Sequence, residues 1–206
     1  EYSTKTVIFA TGAEPRKLGV PGEDTFSGLG VSYCATCDGA FFRGQTTLVV
    51  GGGNTAFEDA LYLSRFSPKV YLVHRSQKFR ADRKLVEQAM NNGRIEIVTD
   101  SVVECIHGKD TVDSVTIKNV QTKRESTIET SAVFVAIGRV PKSELAGKYV
   151  FLTQDGFVRT DREMQTDVMG IFAAGDVRDT PLRQIVTAAA DGAVAAVSAI
   201  RYINQL

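Results

Sequence analysis

The sequence predicts an α/β fold on three observations. Short apolar, β-branched runs recur along the chain, at 6–10, 47–50, 70–73 and 132–136, and each reads as a buried strand. Glycine follows three of them, at Gly12, at Gly51-Gly52-Gly53 and at Gly138, where the chain turns tightly. Between 47 and 73 the order is strand, helix, strand at the compact length of a βαβ unit. The 206 residues suffice for one large domain or two small ones. Hydrophobic residues at 43% and charged residues at 23% make an ordinary globular composition.

Each element can be justified in turn. The strand at 6–10 ends in Thr11-Gly12. Residues 13–30 carry Pro15, Gly19, Pro21, Gly22, Gly28 and Gly30, a linker composition that marks a candidate domain boundary. Residues 38–42 show no helical period, which sets the preceding C-x-x-C apart from one that opens a helix. After the strand at 47–50 a helix begins with Asn54 as N-cap. Its Ala56, Ala60 and Leu63 recur at i, i+4 and i+7 and form a face of small apolar residues. A strand at 70–73, a helix over 82–91 ended by Gly93, and a strand at 95–99 follow. From 101 to 130 the pattern alternates. Residues 101–106, 112–120 and 125–128 predict a small antiparallel meander with polar turns. The run at 132–136 is again a buried strand. Residues 141–156 are loop, 156–160 and 171–174 are short strands, and 182–203 is a helix rich in Ala and Gly.

Charge and composition exclude several classes. Lys and Arg number 24 against 24 Asp and Glu, and this balance argues against a general nucleic-acid binder, which carries a basic excess. No run approaches 18 apolar residues, so no membrane span is expected. The first residues lack a signal-peptide pattern, and the chain reads as cytoplasmic. Three cysteines are too few for a disulfide scaffold.

Four motifs carry chemistry. Gly51-Gly52-Gly53-Asn54-Thr55-Ala56 fits G-x-G-x-x-A between a strand and a helix. Gly51 permits the turn, Gly53 lets the backbone approach a pyrophosphate, and Ala56 keeps the helix close to the sheet. The helix N-terminus offers N–H groups and a positive dipole end to phosphates. At the end of the next strand, His74-Arg75, with Arg80 following, puts basic residues where an NAD site has Asp or Glu. A guanidinium there suits a 2′-phosphate and favours NADP(H). In Cys34-Ala35-Thr36-Cys37-Asp38-Gly39 the cysteines can close a small, readily reversed disulfide, and Asp38 adds an acid–base group beside the second sulfur. Zinc would need two further ligands, for which Cys105 and His107 lie two apart on one strand face. Cys105 alone reads as a half-buried strand residue. Finally, Gly175-Asp176 ends a short strand. Its carboxylate suits either a hydroxyl of a sugar or ribityl chain, or a turn or helix cap.

Taken together these motifs resemble low-molecular-weight, bacterial-type thioredoxin reductases, almost end to end. The resemblance runs from Ala10-Thr11-Gly12-Ala13 through the C-A-T-C-D-G and Gly-rich motifs, His74-Arg75 and Phe79-Arg80-Ala81. It continues in Val135-Ala136-Ile137-Gly138-Arg139, Gly175-Asp176-Val177 and Arg183-Gln184-Ile185. It implies a nested two-domain FAD/NAD(P)-binding fold, Rossmann-like and of glutathione-reductase type. An NADPH domain at 17–139 would be inserted into an FAD domain made of 1–16 and 140–206. It implies electron flow from NADPH through FAD to the Cys34–Cys37 disulfide and on to thioredoxin, in a homodimer that works by rotating one domain against the other. By the same resemblance Cys37 faces the flavin and Asp38 donates a proton. Gly51, Gly53, Asn54, Thr55, Arg75 and Arg80 hold NADPH. Thr11, Gly12, Asp176, Arg183, Gln184 and Ile185 touch FAD. His74, Ile137, Gly138 and Gly175 belong to the cofactor-binding set.

Two departures stand out. Ser76 occupies the place of a second Arg, removing one charge-assisted bond of about 1.5–3 kcal/mol from the 2′-phosphate clamp. The family's N-terminal FAD fingerprint is also absent. The expectation is therefore an incomplete FAD domain, with FAD retention and catalysis depending on residues this sequence does not contain. Two alternatives follow: the flavoprotein half of an alkyl hydroperoxide reductase, and a non-catalytic NADP(H)-binding module.

Overall fold

The computed structural model describes residues 2–206. The chain divides into two compact units, Arg16–Gly138 and the pair Glu1–Pro15 with Arg139–Leu206.

The Arg16–Gly138 unit is built on five parallel strands. Numbered with the rest of the chain, they are β3 (Val31–Ser32), β4 (Thr47–Val50), β5 (Val70–Val73), β6 (Ile95–Val98) and β10 (Ala132–Val135). Their order is β3-β10-β4-β5-β6. All four residues of β4 and of β10 are buried, as central parallel strands covered on both faces must be. One face is covered by helices α1 (Ala35–Asp38), α2 (Asn54–Leu63) and α3 (Arg83–Met90). Ala35, Val49, Ala56, Phe57, Ala60, Leu63 and Phe134 pack there. The other face is covered by the antiparallel meander β7 (Ser101–Gly108), β8 (Val112–Asn119) and β9 (Glu125–Glu129). Its Val103, Ile106, Val115 and Ile117 meet Leu48, Val50, Val73 and Val133. The alternation of β4 between these two clusters follows from the period-two side-chain geometry of a strand.

In the second unit β1 (Val7–Phe9) pairs in parallel with β12 (Ile171–Ala173). β2 (Ala13–Pro15) pairs antiparallel with β11 (Arg139–Pro141). Helix α4 (Ile185–Ile203) buries Ala195 and Ala199 with Phe172 and Ala174. By length and composition the 19-residue α4 is apolar enough to cross a membrane, with a mean hydropathy of 1.3 over an 18-residue stretch. A search for unbroken apolar runs passes over it because Ser, Thr, Gly and Asp191 interrupt the sequence. Asp191 is held by Arg178 at 2.8 Å.

Three local expectations need correction. The C-x-x-C does open a helix: Cys34 is the N-cap of α1, and a 3-10 turn continues over Gly39–Phe42. One turn is too short for a period to show, and Gly39 has no room for a side chain because a Cβ there would lie 2.8 Å from Leu63. The N-cap of α2 is Gly53, not Asn54. The Asn54 side chain instead donates to Asp82 Oδ2 at 2.9 Å and accepts from Asp82 N at 2.8 Å, tying the starts of α2 and α3 together. Residues 156–160 form no strand; Val158 makes only single bridges to Leu152 and Arg178.

Candidate active site

Parallel strands deliver their carboxyl ends to one edge of the sheet, where open α/β sheets bind ligands. In the Arg16–Gly138 unit that edge collects the loops of three adjacent strands. β3 leads to Cys34, β10 to Ala136-Ile137-Gly138, and β4 to Gly51-Gly52-Gly53. The nucleotide turn and the redox motif thus stand two strands apart, about 10 Å at the usual strand spacing.

The glycine turn has the shape that a dinucleotide phosphate requires. A Cβ on Gly51 would lie 2.3 Å from the Ala136 carbonyl oxygen and 2.7 Å from the Ala56 methyl. Gly51 therefore lets α2 sit against the sheet, with Ala56 fully buried beneath it. Nothing lies within 4 Å of a Cβ position on Gly53, so the approach to the first turn of α2, with exposed Asn54 and Thr55, is open. The N–H groups of a helix's first turn have no earlier carbonyl to bond and point at an incoming anion. These residues fit a pyridine nucleotide.

Gly52 performs a task that the motif alone does not disclose. A Cβ there would fall 2.3 Å from the His74 ring. That ring is turned inward, with Nε2 3.1 Å from the Lys78 carbonyl and 3.2 Å from the Ser76 hydroxyl. The Arg80 N–H donates to the Gly52 carbonyl at 2.8 Å. His74 thus packs the 74–80 loop onto the phosphate turn, while Arg75 and Arg80 remain exposed. Ser76 donates its hydroxyl to Lys78 O at 3.1 Å and faces into the loop.

Cys34 and Cys37 form a disulfide, with Cys37 exposed and Cys34 half-buried in this unit. The Cys37 N–H donates to Cys34 Sγ at 3.2 Å. Asp38, the last residue of α1, accepts from the Ser32 hydroxyl at 2.6 Å, and the same hydroxyl accepts from the Cys34 N–H at 3.1 Å. Ser32 is buried. Sequence reasoning passed over it, although a Ser two residues before a C-x-x-C was visible. The approach to Cys34 is fixed further back by Glu23, only 1% exposed. Its carboxylate accepts from Leu18 N, Gly19 N and the Tyr33 hydroxyl at 2.7–2.9 Å. Burial, and then Glu23, push the Tyr33 hydroxyl above its ordinary pKa.

Cys105 is half-buried on β7, as expected for a strand residue. A register shift between Val103 and Cys105 sets it on the outer face with His107, its Sγ 3.7 Å from Nδ1. His107 Nε2 meets the Thr116 hydroxyl at 2.8 Å.

In the second unit, Thr11-Gly12 follows β1 and Gly175-Asp176 follows β12, again at the carboxyl ends of a parallel pair. Gly175 adopts φ 74°, and a Cβ there would lie 3.3 Å from Ala188 on α4. A side chain would be strained by both backbone and packing. Its N–H donates to Asp191 Oδ2 at 3.1 Å. Thr11 donates to the Lys142 carbonyl, and Asp176 lies 3.7 Å from the Arg139 guanidinium. Gln184 caps α4, its N–H donating to Thr187 Oγ1 at 3.1 Å. The Arg183 guanidinium stacks 4.1 Å over Phe157 and donates through Nη2 to the Arg178 carbonyl at 3.3 Å, while its buried Nε has no hydrogen-bond partner among the described residues. Burial lowers its pKa, with Asp176 opposing. An orphaned cationic donor at the start of a helix, beside the exposed apolar Ile185 and Val186, fits a ligand with an aromatic body and polar edges such as a flavin.

The model of the family described as pyridine nucleotide-disulphide oxidoreductase matches residues 1–192. The chain belongs to that family. It is 45% identical over 207 residues to a thioredoxin reductase of Bacillus subtilis, covering 100% of this chain and 66% of that protein. It is 44% identical over 205 residues to a bifunctional thioredoxin reductase/thioredoxin of Mycobacterium leprae, covering 99% and 45%. The crystal structure of the Streptococcus pyogenes thioredoxin reductase superposes with a TM-score of 0.91 at 45% identity, covering 98% of this chain and 66% of that one. The chain spans about two thirds of the length of the B. subtilis relative. The fold is thus that of an FAD/NAD(P)-binding oxidoreductase, present here in part.

Proposed function

We propose that this chain is the part of a thioredoxin-disulfide reductase that carries the redox disulfide and the NADPH site, in a cytoplasmic enzyme that is a homodimer when complete. Residues 17–139 are read as the NADPH domain, and 1–16 with 140–206 as the FAD domain. The observation that carries this reading is the shared carboxyl edge: the Cys34–Cys37 disulfide and the nucleotide turn stand on it two strands apart, with an acid, Asp38, held next to the second cysteine. FAD, when bound, supplies the step between a hydride donor and a disulfide. The chain's own residues do the rest. Gly51, Gly53, Asn54 and Thr55 receive the pyrophosphate, with Ile137 and Gly138 on the neighbouring loop and His74 holding the turn. Arg75 and Arg80 meet the 2′-phosphate. Thr11, Gly12, Gly175, Asp176, Arg183, Gln184 and Ile185 receive the flavin nucleotide. The Cys34/Cys37 dithiol reduces thioredoxin, and Asp38 moves the proton. With Ser76 turned into its loop, the 2′-phosphate rests on two guanidinium groups instead of three, so discrimination against NADH is modest.

The test uses the complete enzyme of which this chain is a part, supplied with FAD, NADPH and oxidised thioredoxin. Cys34→Ser or Cys37→Ser should abolish thioredoxin reduction and spare both NADPH binding and NADPH-dependent bleaching of the flavin. Thioredoxin reduction that survives either substitution, or one zinc ion bound per chain, would overturn the assignment.

A further inference from the structure

We infer that Ser32 is a positioning residue for the proton that accompanies disulfide exchange at Cys34–Cys37, acting through Asp38. This rests on reading Asp38 as the proton donor. Ser32 is the last residue of β3, 6% exposed, and its hydroxyl connects two points of the redox turn. It accepts from the Cys34 N–H at 3.1 Å and donates to Asp38 Oδ2 at 2.6 Å. A hydroxyl can do both at once, since it carries one donor and two acceptor lone pairs. The strand end is anchored in the sheet: β3 pairs in parallel with β10 through Val31 and Ser32. The short α1 has only one turn, and the side chain that meets the Asp38 carboxyl comes from Ser32, before the helix. Ser32 therefore fixes the Asp38 carboxyl relative to the cysteine backbone by committing Oδ2 and leaving Oδ1 for the proton in transit.

The chemistry balances without any further component. A thiolate of an incoming dithiol attacks one sulfur of the Cys34–Cys37 bond. The S–S bond breaks, its electron pair stays on the leaving cysteine sulfur, and that sulfur takes the proton from Asp38. The second thiol of the reductant then closes its own disulfide and releases the other cysteine. Asp38 recovers a proton from that second thiol. A general acid is effective only within hydrogen-bond reach of the leaving atom, so a freely rotating Asp38 loses much of its effect.

Dithiothreitol serves as the probe, because the oxidised chain has Cys105 as its one free thiol. Acid-quenched samples gain two alkylation tags as Cys34 and Cys37 open, read by mass spectrometry. Ser32→Ala should slow the opening by about tenfold or more, and Ser32→Thr, which keeps the hydroxyl, should stay within about twofold of the parent. In an Asp38→Asn background, Ser32→Ala should cost nothing further, since residues that act as a unit are not additive. Parent-like rates in Ser32→Ala, or the same loss with Asp38 already replaced, overturn the inference. So does a parent-like rate in Asp38→Asn alone, which also removes the acid role of Asp38. Neither NADPH nor thioredoxin enters the assay, so failure of the thioredoxin reductase reading leaves these rates as they are. A general loss of structure would slow or speed Ser32→Thr alike and would persist in the Asp38→Asn background.

Discussion

Every residue of β4 and β10 is buried, whereas in the other unit β1 leaves Val7 and Ile8 at 40% and 39% exposure. The contrast extends to the helices. α2 buries Ala56, Phe57, Ala60 and Leu63. α4 is nearly twice as long and buries only Ala195, Ser198 and Ala199, leaving Ile185, Val186, Val197 and Ile200 exposed. Burial of apolar area contributes about 25 cal/mol per Å², so the Arg16–Gly138 unit draws on a thick core with a layer on each face of its sheet. The other unit relies more on specific polar ties, chiefly Arg178–Asp191 and the hydrogen bonds around Gly175. A sandwiched sheet positions its loops by packing. Within the residues present, the other unit holds its loops by a few named bonds that single substitutions remove.

The largest expected effect follows from that difference. Asp191 and Arg178 are 14% and 10% exposed in their side chains, and Asp191→Ala removes the guanidinium's carboxylate partner, leaving it Thr160, and takes the acceptor from the Gly175 N–H. Removing one partner of such a pair costs about 3–5 kcal/mol. Hydrogen exchange should show α4 and β12 losing protection while β4 and β10 keep theirs. Equal loss in both units would break the comparison, by showing that they unfold as one.

Gly51→Ala should have a smaller effect on stability and a focused one on binding. Its methyl would meet the Ala136 carbonyl oxygen at 2.3 Å, and overpacking of this kind costs about 1–3 kcal/mol. The turn must shift, and NADPH affinity measured by equilibrium dialysis should fall by at least about tenfold, or 1.4 kcal/mol. Gly53→Ala, with nothing within 4 Å, should fold as the parent does and lose affinity only through obstruction of the phosphate. If the two variants behave alike in thermal melts, close packing at Gly51 is not what the glycine is for.

The same contrast explains what could be read from the sequence. The strands at Thr47–Val50, Val70–Val73 and Ala132–Val135 were legible because burial on both faces leaves only apolar, β-branched residues there. The meander was legible because one of its faces is wet, which writes a period of two. Contacts between distant residues were not legible. Nothing local told that Asn54 would bond Asp82 instead of capping its own helix, nor that the His74 ring would fill the space over Gly52. α1 escaped notice because a single turn held by its cap carries no periodicity. Apart from Gly175-Asp176, the candidate flavin residues were legible only through resemblance, since Arg183 is set by Phe157, 26 positions earlier.

A pH dependence also separates the units. Asp59 lies on α2, and its pKa is pushed up to about 7, first by burial and then by the neighbouring Glu58 carboxylate. In an unfolded chain an aspartate titrates near about 3.9. Between these values the folded state keeps a proton that the unfolded state has released, so folding is disfavoured progressively as that proton is withdrawn. The contribution is fully present below the unfolded pKa and is lost as the pH rises through about 7. Thermal melts should therefore show the Arg16–Gly138 unit losing stability between about pH 4 and pH 7, with no further loss from this group above that. Asp59→Asn, which cannot ionise, should flatten that slope and raise the melting temperature on its alkaline side. Protection of α4 should be indifferent to the substitution. A slope that persists in Asp59→Asn would assign the pH dependence to another group, and a change in α4 protection would show that this carboxyl is felt beyond the unit whose core buries it.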